Sequence, residues 1–202
     1  VITGGDGDGY GIGLGHFVHA MRRNLDLTYI VMNNQIYGLT TGQASPTTMK
    51  EVQTKSTPRG NVETPINPLA LAIVSGATYV SRAFSGDPKH MADTIAGGIA
   101  HKGFALIDVF SPCVTYNKIN TYPWFRKRVY KLEESSEYDP TNFQEALNRA
   151  YEWGDRIPLG LVYKDEQPTY EESEPALQEE PLAHQKLGLN EELFDSLVEE
   201  FV

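Results

Sequence analysis

Seven glycines fall between Gly4 and Gly15, directly after Val1-Ile2-Thr3 and directly before an amphipathic run. The first three residues read as the end of a β-strand, and the run after the glycines reads as a helix. Leu14, Phe17, Val18, Met21 and Leu25 recur at helical spacing on one face, and Arg22 and Arg23 suit a last turn, where cations complement the helix dipole. Leu27 to Met32 is then a buried strand closing on Asn33-Asn34. Strand, glycine turn, helix and strand in this order predict an α/β fold with a mostly parallel sheet flanked by helices. Because Val1 already stands near the end of a strand, the rest of this sheet is expected to lie in a segment preceding it.

The alternation resumes after a polar stretch, Gly38 to Pro65, that lacks a sustained period and is long for a structureless loop; such loops tend to be functional or disordered. Pro68–Val74 reads as a helix, Thr78–Ala83 as a strand, Pro88–His101 as a helix and Phe104–Val109 as an apolar strand. Asn142–Trp153 looks helical again, and Pro158–Tyr163 is a short strand. From residue 164 onward Pro, Glu and Gln dominate until an amphipathic segment, Glu191 to Phe201. The expected division is a binding domain, 1–163, and an acidic tail, 164–202, that is either a mobile arm with a docking helix or an independent solvated helix.

Charge follows the same division. The net charge is −10, and residues 164–202 hold 12 acidic side chains against Lys164 and Lys186, so residues 1–163 balance. A balanced body with an acidic end argues against general nucleic-acid binding, which needs clustered cations. Arg126-Lys127-Arg128 with Lys131 is the one basic cluster and reads as a solvated helix face. No apolar run reaches the roughly 18–20 residues of a membrane-spanning helix, and no membrane association is expected. A single cysteine, Cys113, excludes a disulfide scaffold and points to a reducing, cytoplasmic setting.

Three chemistries compete for Gly5-Asp6-Gly7-Asp8-Gly9. An EF-hand loop would start at Asp6, but its fifth position would be Tyr10 and its bidentate twelfth Phe17 in place of Glu. A strict G-x-G-x-x-G dinucleotide fingerprint does not occur. The third survives. In a parallel sheet the strand ends at Gly-Asp-Gly and Asn-Asn share the carboxyl edge, where α/β proteins bind ligands. There Asp6 and the Asn34 amide can converge on one hard cation, completed by a backbone carbonyl and two phosphate oxygens, a set that suits octahedral Mg²⁺. Gly7 lets the backbone approach a diphosphate near a helix start.

The pair Gly5-Asp6-Gly7 and Asn33-Asn34 resembles the metal–diphosphate motif of thiamine diphosphate enzymes. The longer text, with Gln35-Ile36-Tyr37-Gly38-Leu39-Thr40, Gly42-Gln43, Ser45-Pro46-Thr47-Thr48 and Ser111-Pro112-Cys113-Val114-Thr115-Tyr116-Asn117, resembles the β subunit of 2-oxoacid:ferredoxin oxidoreductases of the 2-oxoglutarate type. The resemblance covers roughly residues 1 to 165. It implies a thiamine diphosphate-binding fold in which Asp6, the Asn34 side chain and the Ile36 carbonyl ligate Mg²⁺. Gly5, Gly7, Asp8, Gly38, Leu39 and Thr40 would line the cofactor, with Leu39 supporting its reactive conformation. Cys113 would be one of four thiolates on a [4Fe–4S] cluster, the other three lying in a preceding segment. Thr41 departs from the family, many members of which carry Lys there, so a role of that cation in handling the phosphates of coenzyme A is in doubt.

The implied activity is oxidative decarboxylation of a 2-oxoacid, 2-oxoglutarate or pyruvate, to acyl-CoA and CO₂ with ferredoxin reduction. No residue here fits the acid that activates the aminopyrimidine, so the site is expected at an interface with an α subunit. A non-oxidative thiamine diphosphate decarboxylase or synthase, and a non-catalytic diphosphate-binding scaffold, remain as alternatives. His16 and His19, a helical turn apart, lack a third metal ligand and read as packing or cofactor-side hydrogen bonding.

Overall fold

The computed structural model describes residues 1–135, 137–178, 183–184 and 191–200. They fall into two compact units, residues 1–170 and 171–202. The first is built on a six-stranded sheet: β1 (Ile2–Gly5), β2 (Thr28–Asn33), β3 (Tyr79–Phe84), β4 (Ala105–Phe110), β5 (Val129–Lys131) and β6 (Ile157–Lys164), in the order β1-β2-β4-β3-β6-β5. β1, β2, β4 and β3 run parallel, β6 is antiparallel to β3, and β5 is parallel to β6. The α/β, mostly parallel sheet read from the sequence is therefore present, with β6 and β5 reversed at one side.

Both faces of the sheet are covered, which is why every residue of β3 and β4 is buried. On one face α1 (Leu14–Arg22), α2 (Pro68–Val74) and α5 (Phe143–Ala150) contribute Phe17, Met21, Leu69, Ile73 and Ala146, packed with Val31, Val80 and Leu106. On the other, Met91 and Ile95 of α3 (Pro88–Ala100) pack against Ile30, Ala83, Ile107 and Val109. A third cluster joins Phe84 and Phe110 to Phe125 of α4 (Tyr122–Arg126), whose ring stacks on Phe110 at 4.4 Å.

The glycine run is not an open loop. Asp8–Ile12 forms a π-helical turn, closed by the Gly13 amide donating to the Asp8 carbonyl at 2.8 Å, and it leads straight into α1. The wide turn folds back on itself, so a Cβ on Gly13 would stand 2.7 Å from the Asp8 oxygen; only glycine fits.

Other expectations need correction. The basic cluster is not one helix face. Arg126 ends α4, Arg128 lies over the Trp124 ring at 4.3 Å, and Lys131 is on β5, paired with Asp87 at 2.8 Å. Tyr122–Arg126 and Val129–Lys131 are too short to show a period, so both escaped the reading. The helix read as Asn142–Trp153 stops at Ala150, ahead of Gly154 with φ +93°. His16 and His19 are exposed on α1.

The first unit continues past residue 163. Asn24 donates from its side chain to the carbonyls of Gln167 and Pro168 and accepts the Tyr170 amide, and Thr169 is buried. α6 (Tyr170–Ser173) lies at the boundary. Within the second unit, α7 (Glu191–Glu199) exposes Leu193, Phe194, Leu197 and Val198; Phe201, at the end of the expected amphipathic segment, lies outside the described residues. No described helix is long and apolar enough to cross a membrane.

Asn67 caps α2, its side chain accepting the Ala70 amide at 3.1 Å, while its amide group donates to the Ala150 carbonyl at 2.8 Å and so ties α2 to the end of α5. Asn67→Ala removes both bonds. Loss of about 1–2 kcal/mol is expected in urea unfolding, with Asn67→Asp, which keeps the cap, falling between the variant and the parent.

Candidate functional site

The parallel register brings the sequence-marked residues to one edge. Gly5 pairs with Met32 and Asn33 with Phe110, so Asp6, Asn34 and Ser111 leave their strands side by side. The Ser111 amide donates to the Asn33 carbonyl at 2.9 Å, and Asn117 donates from its side chain to the Asn34 carbonyl at 3.1 Å. The loop carrying Cys113 is thereby fastened to the turn carrying Asn34.

Asp6 is buried, 2% exposed, and burial raises its carboxyl above the usual range. Two hydroxyls oppose this. Ser45 and Thr47 both donate to Asp6 Oδ2 at 2.6 Å. Asn34 Oδ1 accepts the Ile36 amide at 2.9 Å, a tight turn that places Gln35 at φ +58°. The Ile36 carbonyl takes no hydrogen bond among the described residues. A carboxylate, a side-chain amide and a free carbonyl are hard oxygen donors of the kind Mg²⁺ takes, so the residues fit the metal that the motif implies. No group of three or more His, Cys, Asp or Glu side chains converges among the described residues, so a cation here depends on this mixed set.

Around it the remaining residues divide. Gly7 is glycine because Tyr37 covers it: a Cβ would stand 2.1 Å from the ring, whose hydroxyl donates to the Gly7 carbonyl at 3.1 Å. Gly38 lies beside Cys113, whose Sγ would be 3.7 Å from a Cβ built there. Leu39 is 99% exposed on a turn with Thr40, which donates to Gln43, and Asp8 is exposed on the π-helical turn. Thr41 takes φ +76°, and Lys55 Nζ donates to its hydroxyl at 2.6 Å.

Beneath the edge lies a buried polar network that the sequence reading missed. Asp108 on β4, wholly buried, accepts from Tyr10 and Asn33 at 3.0 Å and from Arg82 Nε on β3 at 3.4 Å. Burial pushes the Asp108 carboxyl up, and Arg82 is the chief opposing influence. Asn33 Oδ1 in turn stands 3.1 Å from the Thr47 hydroxyl, so the network reaches Asp6. Arg82 lies over Phe110 at 4.9 Å and lines, with Asp108, Ile66 and Trp153, a cavity of about 420 Å³. One signal was available: oppositely charged residues in the middle of two strands that are otherwise largely apolar.

Comparison with known proteins adds the following. Residues 1–109 match the family described as thiamine pyrophosphate enzyme, C-terminal TPP binding domain, and residues 113–179 match the family of the C terminal part of the pyruvate ferredoxin oxidoreductase beta chain. The chain is 49% identical over 198 residues to the 2-oxoacid:ferredoxin oxidoreductase subunit beta of Saccharolobus solfataricus, covering 91% of this chain and 65% of that one. It is 47% identical over 116 residues to the 2-oxoglutarate synthase subunit KorB of Methanocaldococcus jannaschii, covering 57% of this chain and 43% of the relative. Among solved structures, a 2-oxoglutarate:ferredoxin oxidoreductase from Magnetococcus marinus with 2-oxoglutarate, coenzyme A and succinyl-CoA bound superposes with a TM-score of 0.85 at 39% identity, covering 96% of this chain and 65% of that one. The chain therefore spans about two thirds, or less, of the length of these relatives.

Arg82→Met alone should strand Asp108 without its cation and cost about 3–5 kcal/mol of stability. Arg82→Met combined with Asp108→Asn, which leaves no buried charge, should recover a large part of that loss in denaturant unfolding.

Proposed function

Because the chain belongs to the thiamine pyrophosphate enzymes through their C-terminal TPP binding domain and is similar to β subunits of 2-oxoacid:ferredoxin oxidoreductases, we propose that it is the diphosphate-holding part of an enzyme that decarboxylates a 2-oxoacid oxidatively to its acyl-CoA, passing electrons to ferredoxin. The observation that carries this reading is that the parallel register brings Asp6 and the Asn34–Ile36 turn to one sheet edge, with Asp6 hydrogen-bonded by two hydroxyls. Bound thiamine diphosphate supplies the nucleophilic carbon that adds to the 2-oxoacid carbonyl and takes up the electron pair left by CO₂.

The chain's own residues bind and orient. Asp6 and Asn34 hold the Mg²⁺ that neutralises the diphosphate, Gly5, Gly7 and Asp8 border the phosphates, and Gly38, Leu39 and Thr40 form the rim against the cofactor. An exposed leucine side chain serves such a rim only when a second surface covers it, and Val114 beside Cys113 is 73% exposed as well. Both features support a site closed by an α subunit. Cys113 beside Gly38 supports a [4Fe–4S] cluster close to the cofactor, and with it the oxidative reaction. 2-Oxoglutarate is the favoured substrate, supported by the relatives named for it.

Asp6→Ala in the assembled enzyme should abolish Mg²⁺-dependent thiamine diphosphate binding in calorimetric titration while leaving the circular dichroism of the fold unchanged; parental affinity in this variant would overturn the assignment. Cys113→Ser should lower iron and labile sulfide in anaerobically isolated protein and remove ferredoxin reduction, with thiamine diphosphate binding retained. A full iron complement in that variant would return Cys113 to a packing role.

A further inference from the structure

The segment Ser45-Pro46-Thr47-Thr48 is hydrogen-bonded to Asp6 and to Gln35, the residue between Asn34 and Ile36. Ser45 and Thr47 each donate to the same oxygen of Asp6, Oδ2, at 2.6 Å, and both side chains are buried, 4% and 3% exposed. Thr48 donates to the Gln35 carbonyl at 2.7 Å and accepts the Ser45 amide at 2.8 Å. Gln35 donates from its side chain to the Thr47 carbonyl at 3.1 Å, and Asn61 donates to the Thr48 carbonyl at 2.9 Å. The segment is thereby fixed between Asp6 on one side and the Asn34–Ile36 turn on the other.

Two donors on one carboxylate oxygen have a consequence for coordination. Oδ2 has two lone-pair positions, and the two hydroxyls occupy both. Only Oδ1 then remains for a cation, so Asp6 can ligate through one oxygen and not through two. Mg²⁺ takes single carboxylate oxygens at about 2.0–2.1 Å in an octahedron, whereas Ca²⁺ takes 6–8 ligands and readily engages a carboxylate through both oxygens. We propose that Ser45 and Thr47 are metal-positioning residues that restrict Asp6 to one-oxygen ligation and so set the preference of this site for a small octahedral cation over Ca²⁺. This rests on the reading of Asp6 as a metal ligand. Neither hydroxyl touches the metal; each acts through Asp6, as groups behind a first ring of ligands commonly do.

The test uses the assembled full-length enzyme with its partner subunit, titrated with thiamine diphosphate at graded Mg²⁺ or, separately, Ca²⁺, reading the half-saturating metal concentration by calorimetry. Thr47→Val keeps the side chain's shape and removes its donor. It should weaken Mg²⁺ by about 10–100-fold while Ca²⁺, given a freed second oxygen, weakens much less, so the Mg²⁺/Ca²⁺ preference falls. Thr47→Ser, which keeps a hydroxyl, should restore the parental preference. Where Thr47→Val does not assemble, Ser45→Ala carries the same comparison, since it frees the same oxygen. Equal weakening of both metals, or no change in either, would overturn the proposal. Asp6→Ala runs beside them: cofactor binding that still responds to Mg²⁺ as in the parent would overturn the metal reading itself, whereas its loss there with an unchanged preference in Thr47→Val and Ser45→Ala would overturn the positioning role alone.

Discussion

Asp108 is the point on which the carboxyl edge of this sheet depends. A fully buried carboxylate is costly unless it is paired and hydrogen-bonded, and here the two strands beside β4 and the glycine turn satisfy it. Arg82 comes from β3, Asn33 from β2, and Tyr10 from the π-helical turn after β1. Each donor has to be in register for the charge to be tolerated. The cost of misplacing the charge thus aligns three strand ends, and those ends carry the candidate site.

From that anchor the order extends outward through small hydroxyl residues. Asn33 donates to Asp108, and its Oδ1 lies 3.1 Å from the Thr47 hydroxyl, whose proton goes to Asp6 at the shorter distance of 2.6 Å. The long polar stretch after Gly38, which contains no helix or strand, is ordered because its hydroxyls and amides replace water around buried acceptors. Such a loop can hold ligands to a fixed geometry without a core of its own. What it leaves uncovered is equally informative, because Leu39 and Val114 face outward at the same edge. Apolar side chains in that position suit a surface completed by a partner.

The local pattern announced most of the fold. Pro68–Val74 is a helix with the bounds read from its apolar run, and the strands at 28–33, 79–84 and 105–110 match the expected segments to within a residue or two. These succeed because periodicity reports which face is buried, and burial is a property of each segment. Val129–Lys131 and Tyr122–Arg126 were invisible because three and five residues cannot display a period. The basic cluster misled for a related reason: adjacency in sequence was taken as a shared face, while a helix end and a strand send neighbouring cations to different partners.

The sequence by itself determined the class of fold, and it put Asp6 and Asn34 forward as candidate oxygen donors, because each follows the end of a strand in a parallel pair. It also carried the text that relates the chain to a family. Only the tertiary structure decided which groups stand behind those donors. Ser45 and Thr47 lie 39 and 41 residues from Asp6, and Arg82 lies 26 from Asp108. No spacing rule links positions so far apart. Their pairing follows from the cost of leaving a buried carboxylate without donors, and that cost arises only once the sheet has closed over it.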